Sequence, residues 1–262
     1  MTARISTERI LVTNDDGIHA SGIKLLEEIA RSFSDDVWVV APESEQSGAA
    51  HSLTITEPIR CRRLDARHYA VRGTPTDSVM MAVSHILKDK PPTLLLSGIN
   101  RGGNLAEDIT YSGTVAAAIE GMLTGIPSIA LSQVMRRLSE GSNWDAAKRF
   151  ARDLVDRLLD EPWPADVLIN VNFPPLDAEA VKGIRVTEQG RRDLRGLMIE
   201  ERRDPRGAPY YWFGLSRTRS ELAAHTDLQC IHEGWISVTP LHLDLTHAAT
   251  RRALAPRIER EF

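Results

Sequence analysis

Apolar residues arrive in short blocks separated by polar turns, and the spacing inside each block predicts its conformation. Residues 9–13 (R-I-L-V-T) form a near-continuous run of β-formers, the pattern of a core strand in a parallel sheet. Ile23, Leu26, Ile29, Ala30 and Phe33 then follow at helical spacing. Residues 36–41 (D-V-W-V-V-A) read as a second strand, 42–52 as a polar loop, and 53–63 and 69–72 as extended chain. Pro75, a favoured first-turn residue, introduces a helix over 76–87. A strand at 93–97, a long Gly/Asn-rich loop at 98–112, a helix at 114–123 and a strand at 128–132 come next. Within 145–159, Ala147, Ala151, Leu154, Val155 and Leu158 share one stripe, which predicts an amphipathic helix ahead of a strand at 167–172.

Strand–helix alternation of this kind specifies an α/β fold, a Rossmann-like parallel sheet with helices on both faces. From about Lys182 the rhythm changes. Residues 184–189, 210–215 and 235–244 alternate as strands without regular helices between them, so antiparallel hairpins are expected. The Arg/Asp/Pro/Gly-rich stretch 191–209 reads as an excursion, and 246–262 as a loose helix or an arm onto another subunit. The expected organisation is a catalytic core over 1–181 and a hairpin-and-tail region over 182–262. That second region carries apolar strands and a stripe of Leu254, Ile258 and Phe262, but no cluster of acid, hydroxyl and amide groups, so its expected role is assembly.

Composition narrows the class. The chain has 262 residues, 42% of them hydrophobic and 26% charged, enough to bury a substantial core. A formal net charge of −4 points neither to nucleic-acid duplex binding nor to a membrane surface. The apolar runs are strand-sized, well short of the roughly 20 residues of a membrane span. The first residues, M-T-A-R-I-S-T-E-R, lack an apolar signal core, and two distant cysteines, Cys61 and Cys230, make neither a disulfide framework nor a thiolate metal site. A cytoplasmic location is expected.

One block ends unusually. The first strand runs into N-D-D-G, which sets Asp15 beside Asp16 at its carboxyl end. Adjacent carboxylates repel, and burying either one unpaired is costly. Asp-Gly often marks a hairpin, but the helical spacing after Gly17 argues against one here. Asp16 as a helix cap explains only one of the two acids. Ligands collect at the carboxyl ends of parallel strands, so a metal or catalytic role for the pair is the stronger reading.

Neither a G-x-G-x-x-G nor a G-x-x-x-x-G-K-[ST] pattern is present. Other strand ends supply oxygen donors: Ser44, Ser47 and His51 in one loop, and Asn100 and Asn104 in another. Ser112, Gly113 and Thr114 open a helix, where backbone N–H groups favour an anion. Two carboxylates with neutral oxygen donors suit a hard cation such as Mg²⁺, Mn²⁺ or Ca²⁺ better than zinc.

The segments I-L-V-T-N-D-D-G-I, V-V-A-P-E-S-E-Q-S-G, V-R-G-T-P-T-D-S-V, L-L-L-S-G-I-N-R-G-G-N, D-I-T-Y-S-G-T-V-A-A-A-I-E-G and T-D-L-Q-C-I-H-E-G-W-I-S-V-T-P-L, in this order, resemble the SurE (survival protein E) family of metal-dependent nucleotidases. The resemblance implies phosphatase activity on nucleoside 5′- and 3′-monophosphates with a divalent cation, Mg²⁺ or Mn²⁺. It places the metal ligands on Asp15, Asp16, Ser47 and Asn100, with Asn104, Ser112, Gly113 and Thr114 around the phosphate. It also implies a homodimer or homotetramer that exchanges its C-terminal parts. Departures are mild: Cys230 and Trp235 stand where Ala and Tyr are common, and His51 falls at a position that varies between His and Asn, which leaves its role open. Two rival readings are a phosphatase on non-nucleotide substrates such as short-chain polyphosphate, and a non-catalytic nucleotide-binding stress regulator.

Overall fold

The protein is described by a computed structural model covering residues 4–136, 143–192, 197–215 and 222–261. β1 (Ile10–Thr13) leads into α1 (Ser21–Arg31); β2 (Val37–Pro42), β3 (Arg60–Arg63) and β4 (His68–Arg72) precede α2 (Pro75–Met81). β5 (Leu94–Arg101), α3 (Gly113–Leu123), β6 (Ser128–Gln133), α4 (Asp145–Leu159) and β7 (Val167–Phe173) follow. The remainder holds β8 (Ile184–Val186), β9 (Leu197–Arg203), β10 (Pro209–Leu215), α5 (Asp227–His232), β11 (Ile236–His242) and α6 (Ala248–Ile258).

Among the described residues, nine strands form one sheet in the order β3-β4-β2-β1-β5-β6-β7-β11-β8, and β9 and β10 pair separately. The strands from β4 to β7 in that order run parallel to one another. Side chains alternate across β1: Ile10 and Val12 pack with Ile23 and Leu26 of α1 and Ala151 and Val155 of α4. Leu11 points the other way, to Val79 of α2 and Val115 and Ala118 of α3. Strands buried on both faces read as unbroken apolar runs, and helices do cover both faces here. Truncating a fully buried member such as Leu26 to Ala costs about 2–5 kcal/mol.

Several elements depart from the sequence-based expectation. β5 continues past Ser97 to Arg101, because Asn100 and Arg101 find partners in Ser132 and Gln133 after a register shift. The shift needs Gly98: its φ is +129°, and a Cβ there would sit 2.2 Å from the Leu131 carbonyl oxygen. The helix expected over 76–87 is α-helical to Met81 and then widens into a π-helical turn at Ala82–Ile86. In the extended segment 53–63, only β3 is a strand, an exposed edge antiparallel to β4.

The C-terminal third departs most. β11 enters the main sheet antiparallel to β7, yet β8 lies parallel to β11 rather than forming a hairpin with it. The stretch expected as an excursion contains β9, which pairs with β10 from Leu197 opposite Leu215 to Arg203 opposite Pro209. The short helix α5 was not expected at all. The tail forms α6, whose Leu254 and Ile258 are exposed; Phe262, the third member of the expected stripe, lies outside the described residues.

Candidate active site

The acidic turn is built at the end of β1. Gly17 adopts φ +95°, and the Asn14 side-chain amide closes the turn by donating to the Gly17 carbonyl at 2.9 Å. A Cβ on Gly17 would press on the Ser44 backbone at 3.1 Å, so the loop after β2 lies directly over the turn. Two backbone bonds fasten it there: Ile18 N–H to the Pro42 carbonyl and Gln46 N–H to the Asp15 carbonyl. This brings Ser47, exposed and bonded to Glu45, alongside the aspartates.

α3 approaches from the other side. Ser112 caps it by accepting from Val115 N–H at 3.0 Å, and the Thr114 hydroxyl donates to Asp15 Oδ1. Gly113 allows the approach, since a Cβ there would come within 2.8 Å of Asp15 Cβ and 2.9 Å of Pro75 Cγ. Asp15 is buried, and burial raises its carboxyl to about 6, against the pull of the Thr114 hydroxyl and backbone N–H groups. Asp16, half-buried, is also raised, first by burial; the Arg101 N–H that donates to its Oδ2 at 3.0 Å opposes the shift.

The third wall is the chain leaving β5. The Asn100 amide donates to the Gly102 carbonyl at 2.9 Å. Asn104 is buried on a polar floor: its side chain donates to Ser132 Oγ, its N–H to Asn172 Oδ1, and its carbonyl accepts from Asn170 and Asn172. Five buried side-chain oxygens, on Thr13, Asn14, Thr76, Ser97 and Asn170, have no hydrogen-bond partner among the described residues.

These walls enclose a cavity of about 250 Å³ lined by Asp15, Ser47, Asn100, Asn104 and Ser112, together with Gly48, Arg101, Asp108 and Tyr111. Five expected site residues therefore meet. Asp16, Gly113 and Thr114 stand behind the lining: the first is bonded to Arg101, the second is against Asp15, and the third spends its hydroxyl on Asp15. His51 pairs with Glu120 at 3.0 Å and does not line the cavity.

Sequence reasoning passed over Arg101, Asp108 and Tyr111. Arg101 had a signal, a cationic residue next to Asn100 in the same motif, and it lines the cavity. No group of three His, Cys, Asp or Glu placed to hold a metal ion occurs among the described residues, so a cation here would draw on two carboxylates and neutral oxygens. The donor chemistry fits a hard divalent ion, and the raised Asp15 carboxyl is the response expected of a buried acid without a countercharge.

Fold and site together define an α/β protein with a cavity lined by acidic, amide and hydroxyl side chains at the carboxyl ends of its parallel strands. The chain belongs to the survival protein SurE family, whose model matches residues 10–196. It is similar to the 5′-nucleotidase SurE of Parvibaculum lavamentivorans, at 58% identity over 94% of this chain and 89% of the relative. The 5′-nucleotidase SurE of Caulobacter vibrioides is 56% identical over 94% of both chains. Among solved structures, the SurE protein from Aquifex aeolicus superposes with a TM-score of 0.82 at 42% identity, covering 96% of this chain and all of that one.

Proposed function

We propose that the protein is a phosphomonoesterase that hydrolyses nucleoside 5′-monophosphates, and 3′-monophosphates as well, to nucleoside and phosphate. The observation that carries this reading is the meeting of Asp15, Ser47, Asn100, Asn104 and Ser112 around one cavity in a chain whose relatives are 5′-nucleotidases. Asp15, Asp16, Ser47 and Asn100 would hold a divalent cation, Mg²⁺ or Mn²⁺. When bound, such an ion polarises phosphoryl oxygens and lowers the pKa of a coordinated water.

The protein's own groups do the rest. Two ionised carboxylates balance the charge of a divalent cation, so a phosphate dianion needs further donors. Asn104, the Ser112–Gly113 turn at the start of α3 and the Arg101 guanidinium supply them at the cavity wall. Thr114 acts on the phosphate site through Asp15, whose carboxylate its hydroxyl orients. The polar floor beneath Asn104 fixes the angle of that loop.

The C-terminal region is proposed as an assembly device for a homodimer or homotetramer. Ile199, Tyr210, Tyr211 and Trp212 are exposed on the β9–β10 hairpin, and a two-stranded hairpin is marginal without a partner surface. Among the described residues, no helix is long and apolar enough to cross a membrane.

Phosphate release from AMP, GMP, p-nitrophenyl phosphate and short-chain polyphosphate, each with Mn²⁺ and with EDTA, tests the reading. Cation-dependent release with nucleotides as the best substrates is expected. Preference for polyphosphate, or release from none of the four, would overturn it.

A further inference from the structure

The segment T-D-L-Q-C-I-H-E-G-W-I-S-V-T-P-L contains an acid that the cavity does not use. Asp227, the first residue of α5, is fully buried. A helix-start aspartate ordinarily serves its own helix. This one reaches further: its Oδ2 accepts the Ala106 N–H at 2.8 Å, and its Oδ1 accepts the N–H groups of Gly190 at 2.9 Å and Leu228 at 2.7 Å. One carboxylate thus ties together three stretches of chain far apart in sequence.

Ala106 lies in the loop that carries Asn104 and Asp108 into the cavity. That loop turns through a positive φ of +52° at Ala106, a conformation that a residue with a Cβ rarely adopts and that outside bonds must hold. The bonds are there. Gln189 Nε2 donates to the Ala106 carbonyl at 3.0 Å, and Arg192 Nη1 donates to the Leu105 carbonyl at 3.1 Å and pairs with Asp108 at 2.6 Å. Gly190 lets the carboxylate in, since a Cβ there would meet Asp227 Oδ1 at 2.6 Å. Burial raises the Asp227 carboxyl from its ordinary range, while the three N–H donors and Arg192 pull it back.

We infer that Asp227 is a positioning residue for the phosphate side of the active site, clamping the 104–108 loop from outside while Ser132, Asn170 and Asn172 hold it from within. Asp227 touches no substrate; it sets where Asn104 stands. The inference rests on the reading of Asn104 as a phosphate donor.

Asp227→Asn separates this role from plain helix capping. The amide is isosteric, but its NH₂ must face either the Ala106 N–H or the N–H groups of Gly190 and Leu228, donor against donor. The loop then loses its fixed position, and a displacement near 1 Å costs on the order of 100-fold in a well-aligned site. Kinetics with p-nitrophenyl phosphate at saturating Mn²⁺, well below the melting temperature, should show the KM and the inhibition constant of inorganic phosphate both raised about tenfold or more.

Gln189→Leu, which removes only the bond to the Ala106 carbonyl, should raise both constants by a smaller factor and serves as the deciding variant if Asp227→Asn does not fold. Thr226→Ala removes the α5 cap that accepts Gln229 N–H, and should lower the melting temperature with both constants unchanged. Unchanged constants in folded Asp227→Asn, or in Gln189→Leu if it alone folds, would overturn the inference. Asn104→Ala tests the underlying reading separately: if it leaves the constants unchanged, Asn104 is no phosphate donor, and the inference falls with that reading.

Discussion

Asp15→Asn is expected to stabilise the metal-stripped protein at neutral pH while abolishing most of its activity. In the folded chain burial raises the Asp15 carboxyl to about 6 from the ordinary 3.8. The native state therefore holds this proton more tightly than the unfolded chain does. The associated stability is complete below about pH 3.8 and is lost as pH rises through about 6. A shift of about two units at 1.36 kcal/mol each amounts to about 3 kcal/mol, felt in full at pH 7 and above.

The amide keeps an oxygen that can accept the Thr114 hydroxyl and carries no charge, so the variant escapes this loss. Its advantage should be near zero at pH 4 and grow to about 3 kcal/mol above pH 7. Urea unfolding in EDTA across that range reads it directly. Adding Mn²⁺ should reverse the order, because a ligand at about 1,000 times its Kd stabilises the parent by about 4.1 kcal/mol, more than the variant's advantage, and the variant loses that site. An advantage independent of pH, or equal stabilisation of both proteins by Mn²⁺, would refute the reasoning.

Gly113→Ala drives a methyl group into Asp15 and Pro75, so it should cost about 1–3 kcal/mol and cut kcat far more than the melting temperature suggests; parent-like kcat would show that Asp15 need not be held there. Deleting residues 247–262 and weighing the product by light scattering tests α6 as an interface element, with a smaller assembly expected. An unchanged oligomer would remove the tail from the interface, and a monomeric full-length protein would defeat the assembly proposal altogether.

What could be read in advance followed from local pattern. The stripe Ala147, Ala151, Leu154 and Val155 marked α4 because an amphipathic helix carries its own periodicity, whatever it packs against. The N-D-D-G turn was legible because paired acids after an apolar strand demand compensation. The extension of β5 was not, since S-G-I-N-R-G has the composition of a loop and its strand character comes from pairing with Ser132 and Gln133 on another strand. Strand direction was equally hidden: alternation in β8 and β11 is the same whether they run parallel or antiparallel. Asp227 lay furthest from view, because its meaning depends on Ala106 and Gly190, which only the folded chain brings to it.

The place of β11 between β7 and β8 has a consequence for how the protein is made. A ribosome delivers the chain from its N-terminus at about 5–20 residues per second, so β7 is complete seconds before β11 follows it. During that interval β7 presents a row of unpaired N–H and C=O groups next to Ile169 and Val171, the kind of open edge that recruits strands from other nascent chains. Everything between Phe173 and Ile236 must be synthesised while that edge waits. Slow translation through this stretch therefore lengthens the time in which the half-made protein is sticky, and β11 is the strand whose arrival ends it.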